Sequence, residues 1–251
     1  MAKLNGLALS SLVAGALITL AASSAQAAPV TDTAHLDYMN DLVASLTGVD
    51  PAENRNNWAS ASQACAITWA NGSATPSALT KGACFFTLAL SAAYPSVTGS
   101  QLYTWWGGQS PSSPRYYDLI EAENHFWQVD LVEEILPGDV LSTKYLNRSG
   151  VNTGNTMVVA DISFYTTLAG GTERYIVTVV DSTNSPHGQQ DTRYDLDYPI
   201  SGVGSGLIFL DADPVTGGVS GHSWSNQGQT YSSYYTITDR PLVVGRFDRN
   251  K

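Results

Sequence analysis

The sequence predicts an α+β fold in which helices come first and an antiparallel sheet follows. An apolar stretch covers residues 82–94 and is followed by Pro95, which is typical of a buried helix. After Leu136 the chain changes character, and β-branched runs alternate with Gly, Asn and Asp turns. Because the helical and β segments are segregated along the chain, we expect the helix that carries Cys84 to pack on one face of the sheet.

The helices and loops follow from local patterns. A polar, amphipathic start predicts a helix over 35–46, and the many small and polar residues of 54–79 predict a loop. Thr80 is placed to cap the buried helix at its first turn. The Trp-Trp-Gly-Gly motif at 105–108 predicts a second irregular stretch, and Ser-Pro then predicts a helix over 113–123.

The second half of the chain predicts the sheet. The glycine-rich run 202–206 lacks the Lys and Ser/Thr of a phosphate loop, and we expect it to form a tight turn before a strand. The predicted strands cover residues 140–145, 156–165, 175–180, 206–210 and 241–247.

Residues 1–27 resemble a secretory signal peptide. Lys3 supplies the positive start, residues 7–22 the apolar core, and Ala-Gln-Ala at 25–27 the small residues that precede cleavage. A membrane anchor is the alternative, but the apolar run is short and rich in Ala and Ser. We therefore expect an exported protein, periplasmic or extracellular, with a single domain over 28–251 and no membrane span once the signal is removed.

The charge of the chain argues against nucleic acid as a partner. Removing Lys3 with the signal leaves 11 basic against 22 acidic residues, about −11, which repels phosphate backbones and anionic lipids. Low charge content with many Tyr, Trp, Ser, Thr, Asn and Gly is a compositional hint of an exported protein that meets sugars or cell-wall polymer. The sequence selects no oligomeric state.

Cys65 and Cys84 can be interpreted in two ways. In the first turn of a helix, the thiolate of Cys84 is stabilised by the helix dipole and by unpaired N–H groups, which lowers its pKa and makes it a candidate nucleophile. Alternatively, the two cysteines close a disulfide loop of about 20 residues that contributes on the order of 3 kcal/mol. Their spacing gives no zinc pattern, and we expect neither a metal nor a cofactor.

One segment resembles a known family of cell-wall enzymes. Leu136-Pro-Gly-Asp-Val-Leu141 is similar to the turn that opens the first sheet strand in NlpC/P60-like cysteine peptidases, and segments 116–120, 179–193 and 202–206 resemble exported relatives of that family. The resemblance implies a papain-like fold, with the helix of Cys84 on an antiparallel sheet. Where the family has its base histidine, at the start of the second strand, this sequence has Asn155.

The resemblance and the chemistry of thiol hydrolases together imply four site residues. Cys84 would attack the carbonyl, His187 would take and return the proton, and Asp181 would orient the imidazole. Asn155, which has no usable pKa, would donate to the oxyanion together with the Cys84 N–H. The alternative is that Asn155 marks a domain that kept its fold and lost or weakened its activity.

Several polar residues, including two of these four candidates, also fit structural roles. His187 in a polar loop and Asp181 before Ser-Thr-Asn both fit local turn roles as well. Asp139 is expected to form the turn after Pro-Gly and is excluded from catalysis, and Arg193 is expected to pair with Asp181 or Asp191. No metal-binding spacing links the other histidines, which are His35, His125 and His222.

The expected function is that of an exported thiol hydrolase. It would cleave an amide or isopeptide bond through a thioester, with peptidoglycan stem peptide as the substrate that the resemblance implies. Trp105 and Trp106 would form a wall of the cleft, with core packing as the alternative. Two further readings are an impaired fold that binds glycan or peptide in the envelope, and a small disulfide-stapled structural domain.

Overall fold

The computed structural model describes residues 32–69, 75–146, 153–194, 200–227 and 233–251. Residues 1–27, with their predicted signal peptide, lie outside these ranges. Within the described part of the chain, no helix combines the length and the apolar character needed to cross a bilayer.

In the described part of the chain, four α-helices precede most of the sheet, and the sequence predicts three of them. Lys81 rather than Thr80 precedes the first residue of the second helix, because Thr80 ends a short strand and its hydroxyl donates to the Ser182 hydroxyl. A helix also occupies the stretch predicted to be irregular at 105–108. Its first turn is capped by the Thr98 side chain, and Gly107 ends it with a left-handed φ of 73°. The helices are α1 (Ala34–Leu46), α2 (Gly82–Ala93), α3 (Gly99–Trp106) and α4 (Ser113–Glu121).

Among the described residues, the main sheet has eight strands, paired antiparallel in the order β10-β9-β8-β7-β6-β5-β11-β4. The five predicted strands are all present. Those predicted over 156–165, 175–180 and 206–210 are longer at both ends, and those predicted over 140–145 and 241–247 are each one residue shorter. Three strands of three to five residues, β4, β9 and β10, were not predicted. The strands are β4 (Phe126–Gln128), β5 (Val140–Lys144), β6 (Gly154–Thr167), β7 (Glu173–Thr183), β8 (Gly202–Ala212), β9 (Val219–Ser223), β10 (Tyr234–Thr236) and β11 (Leu242–Phe247).

A second, three-stranded sheet replaces part of the loop predicted over 54–79. It consists of β1 (Asn56–Trp58), β2 (Ala66–Thr68) and β3 (Ser77–Thr80), with β3 in the middle. The Asn56 side chain both donates to the Val203 carbonyl and accepts from the Val203 N–H, at 2.8 Å each. These bonds attach the small sheet to β8.

The main sheet separates two apolar clusters. Val158 and Val180 face the helices, whereas Val159 and Val179 face a second cluster on the opposite side. This follows from the alternation of side chains along a strand, and it accounts for the continuous apolar runs of β6 and β7. The protein is therefore an α+β fold whose helices cover one face of a large antiparallel sheet.

The Pro-Gly-Asp turn joins the start of β5 to the last strand. Gly138 takes a φ of 92°, and the fully buried Asp139 accepts the Leu136 N–H at 2.8 Å. Arg246 of β11 donates two hydrogen bonds of 2.9 Å to the same carboxylate. Asp139 thus forms the turn and a buried ion pair, which agrees with its exclusion from catalysis.

Candidate functional site

Cys84 lies in the first turn of α2, as the sequence predicts, but its sulfur is bonded to that of Cys65. It is 4% exposed and lines the wall of a cleft at the start of the helix. A sulfur in a disulfide has no thiolate to attack a carbonyl. The nucleophile expected at Cys84 is therefore absent from the oxidised protein, and the disulfide alternative describes this structure.

Asn155 lies on β6 directly against the start of α2. A Cβ added to Gly82 would collide with the Asn155 side-chain oxygen and with the Thr156 carbonyl, so glycine lets the helix approach the strand this closely. The Asn155 Nδ2 donates to Asp181 Oδ2 at 2.8 Å. This end of the sheet thus brings together three of the expected neighbours, Cys84, Asn155 and Asp181. One N–H of the Asn155 side chain already donates to Asp181.

His187 contacts Asp181 as expected, but its ring is fully buried. Nε2 lies 3.0 Å from Asp181 Oδ2, and Nδ1 lies 2.7 Å from the Trp224 carbonyl oxygen. Both oxygens are acceptors, so both contacts are hydrogen bonds only when both ring nitrogens carry a proton. A ring in that state has no lone pair to accept the proton of a thiol. The ring is therefore buried between two acceptor oxygens and does not line the cleft that Cys84 lines, and the role of His187 as a general base stays a prediction.

Asp181 and His187 belong to a buried charge cluster with Asp191 and Arg193. Arg193 donates to both oxygens of Asp191 at 2.8 and 2.7 Å, and its Nη2 lies 3.0 Å from Asp181 Oδ1. The ion pairs predicted for Arg193 are both present. The guanidinium thus lies between two buried carboxylates and offsets part of their charge, which lowers the cost of burying them.

The cluster keeps Asp181 ionised. Burial raises the pKa of this carboxyl, but the charges of His187 and Arg193, together with hydrogen bonds from His187 and Asn155, outweigh burial and lower the pKa to about 2. Asp181 is therefore a permanent acceptor at neutral pH. Its role here is to hold Asn155, His187 and Arg193 together behind the cleft lining.

The glycine run 202–206 makes room for this cluster. It lies inside β8 rather than in the expected turn. A Cβ at Gly204 would collide with the Arg193 side chain, and one at Gly206 would lie 2.5 Å from Asp191 Oδ2. The missing side chains thus give the cluster its space against the sheet.

A cleft of about 1020 Å³ opens where α2, β6 and β7 meet. Its size is at the upper end for small-molecule sites. Four partly or fully buried aromatic residues line it, which are Trp58, Tyr145, Trp224 and Tyr235. Four carboxamide residues also line it, which are Gln63, Gln109, Asn155 and Asn184.

Sequence reasoning missed most of this lining. For Trp105 and Trp106 the core-packing alternative holds, since both rings contact Phe247 at centroid distances of 6.4 and 6.3 Å. Trp224 and Arg240 reach the cleft from the last strands and turns of the chain. No local pattern marks them, because only the folded sheet brings these segments to α2.

The remaining histidines are structural. His35 is fully buried between the Tyr94 hydroxyl and the Gly138 carbonyl, at 2.9 Å from each. Burial and the charge of Arg240 lower the pKa of His222 to about 4, so its ring is neutral at physiological pH. Among the residues that the structure describes, no group of three or more His, Cys, Asp or Glu side chains is arranged to hold a metal ion.

The chain is similar in sequence to a viral protein. No family model matches the chain, and no solved structure matches it significantly. The uncharacterized protein R653 of Acanthamoeba polyphaga mimivirus is 34% identical over 155 residues, which cover 57% of this chain and 67% of the viral protein. This identity and coverage show that the chain belongs to the same family as the mimivirus protein R653.

Proposed function

We propose that this chain is an exported protein of papain-like, NlpC/P60-type architecture whose cleft binds a peptide or glycan without cleaving it. The observation that carries the proposal is the state of the catalytic positions. Cys84 is in a disulfide, and both ring nitrogens of His187 are bound to acceptors. A thiol hydrolase needs a thiolate and a base, and neither is available in this arrangement.

The papain-like architecture is supported by the placement of three residues. Cys84 at the start of α2, Asn155 on β6 and Asp181 on β7 stand in the order and proximity that the resemblance implies. Asn155 and Asp181 are hydrogen-bonded across neighbouring strands. In the proposed architecture, the cleft would take the position of the family's active-site cleft.

The lining of the cleft favours recognition of a polar ligand. Carboxamides donate and accept hydrogen bonds at once, which suits the amides of a peptide or the hydroxyls of a sugar. The aromatic residues supply apolar contact area with few rotatable bonds. A cleft of about 1020 Å³ accommodates several residues of such a chain.

Binding and cleavage can be tested in one experiment. The oxidised protein without residues 1–27 is incubated with peptidoglycan fragments and with synthetic peptides, and both retention and release of new amino groups are measured. We expect retention of ligand and no new amino groups. Turnover by the oxidised protein would overturn the proposal, and so would failure to retain any peptide or glycan.

The second candidate function is the thiol hydrolase itself, in a reduced form. The position of Cys84 favours it, because a released thiol would lie at the positive end of α2 and in the cleft. Cys65→Ser frees this thiol without added reductant. Cleavage by Cys65→Ser that is lost in the Cys65→Ser/Cys84→Ser double variant would favour the hydrolase, whereas inactivity of both would favour binding alone.

A further inference from the structure

We infer that the cleft recognises the terminal carboxylate of a peptide, held between Arg240 and the start of α2. This inference rests on the proposed binding function and adds the chemical class of the ligand. It starts from the charge of the cleft, which is opposite to that of the chain.

The lining of the cleft is basic although the chain is acidic. The chain has 22 acidic and 12 basic residues. Among the described residues, however, the cleft is lined by Lys81 and Arg240 and by no Asp or Glu. Walls of one charge sign concentrate the field in a cleft and attract a ligand of the opposite sign. The ligand that complements this cleft is therefore an anion.

Two tyrosine rings hold Arg240 in place without neutralising its charge. Its guanidinium lies 3.6 Å from the ring centroid of Tyr235 and 4.3 Å from that of Tyr145. Cation–π contacts fix the plane of a guanidinium while leaving its edge N–H groups for hydrogen bonds. In the described part of the chain no carboxylate lies within ion-pair distance of Arg240, and the adjacent Asp239 accepts from Thr236 instead.

Lys81 and the first turn of α2 provide the opposing positive charge. Lys81 precedes the first helical residue, and Gly82 and Ala83 follow it on the cleft lining. The first N–H groups of a helix have no partner within the helix and carry the positive end of its dipole. Lys81 forms no ion pair with any carboxylate of the described residues.

The lining favours a peptide over an acidic sugar. Sugar rings stack on open aromatic faces, but three of the four aromatic rings already have an occupied face. His187 lies against Trp224 with ring centroids 4.2 Å apart, and the Arg240 guanidinium lies on Tyr145 and Tyr235. Carboxamides pair with successive N–H and C=O groups of a peptide backbone. Arg240 would form the forked contact with the two oxygens of the terminal carboxylate.

The test compares matched ligands at equilibrium. A randomised tetrapeptide pool is prepared with free C-terminal carboxylates and again as C-terminal amides, and a pool of uronic-acid oligosaccharides forms a third arm. Each is dialysed against the oxidised protein, and the retained ligands are quantified by mass spectrometry. We expect the free acids to bind at least about 10-fold more tightly than the amides, because a hydrogen-bonded ion pair is lost in the amide.

Variants then show whether the preference for free acids over amides arises in the cleft. Arg240→Gln should remove most of the preference for the free acid and reduce its dependence on salt concentration. Arg249→Gln is the matched control, since Arg249 lies on the Tyr94 ring and does not line the cleft. It should retain the preference. Circular dichroism of both variants shows whether the fold is preserved.

Each outcome has a separate meaning. Equal retention of acids and amides would overturn the carboxylate inference and leave the proposed binding function standing. Retention of the uronic-acid pool in place of peptides would overturn the assignment to a peptide. Failure to retain any of the three pools, or any peptidoglycan fragment, would overturn the binding function and the inference together.

Discussion

Reducing the disulfide between Cys65 and Cys84 should lower the stability of the folded protein by about 3 kcal/mol. The two cysteines are 19 positions apart, so the bond closes a loop of about 20 residues in the unfolded chain. The chain-entropy relation gives a loss of about 11 cal/mol/K for that loop, or about 3 kcal/mol at room temperature. For a domain of this size the melting temperature should fall by about 6–12 °C.

The assay is thermal unfolding followed by circular dichroism, with and without a dithiol reductant. The Cys65→Ser/Cys84→Ala double variant should melt near the reduced wild type and should not respond to the reductant. Alkylation before reduction should label neither cysteine. Equal melting temperatures for the oxidised and reduced wild type, or rapid alkylation of the untreated protein, would refute the reasoning.

The buried polar groups give three further predictions. The folded protein lowers the pKa of Asp181 from its ordinary value of 3.8 to about 2, so its ionisation contributes about 2 kcal/mol of stability above pH 4 that is lost as the pH falls through 2. Urea unfolding should show a larger loss of stability in acid for the wild type than for Asp181→Asn. Gly206→Ala should lower the free energy of unfolding by about 1–3 kcal/mol because the added Cβ collides with the charge cluster. Gly108→Ala, with open space around the added Cβ, should lower it by less than about 0.5 kcal/mol in the same assay. Arg246→Met should cost about 3–5 kcal/mol by leaving Asp139 buried and unpaired, and Arg246→Met/Asp139→Leu should recover part of it; no recovery would contradict the charge argument.

Elements with local signals could be predicted from the sequence. The apolar run and Pro95 gave α2, and the Pro-Gly-Asp turn gave the start of β5. Helix α3 was not predicted, because the Trp-Trp-Gly-Gly motif indicates a loop. The two local signals for this helix are Thr98, which caps its start, and Gly107, which ends it with a left-handed φ. The small sheet was missed because strands of three or four residues are too short to show periodicity, and they depend on pairing with one another.

The sequence predicted those contacts of the site that form between residues close together in the chain. The helix start at Cys84 and the contact of Asp181 with His187 both follow from nearby chain. The state of His187 does not, because the second acceptor for its ring is the carbonyl of Trp224, 37 residues further along the chain. The disulfide likewise depends on how the small sheet carries Cys65 to α2.

In the proposed architecture, an asparagine at the position of the family's base and a disulfide at Cys84 are consistent with each other. Asp181 Oδ2 accepts from Asn155 at 2.8 Å and lies 3.0 Å from His187 Nε2, so the oxygen that would orient a base already faces two partners. An amide beside Cys84 can hold a carbonyl oxygen but cannot carry a proton away. A thiol at that position would then have no proton acceptor, and bonding it to Cys65 stabilises the cleft without removing a working step. The residues that would leave the proposed cleft without a proton relay would therefore also make it rigid and preorganised for the proposed binding function.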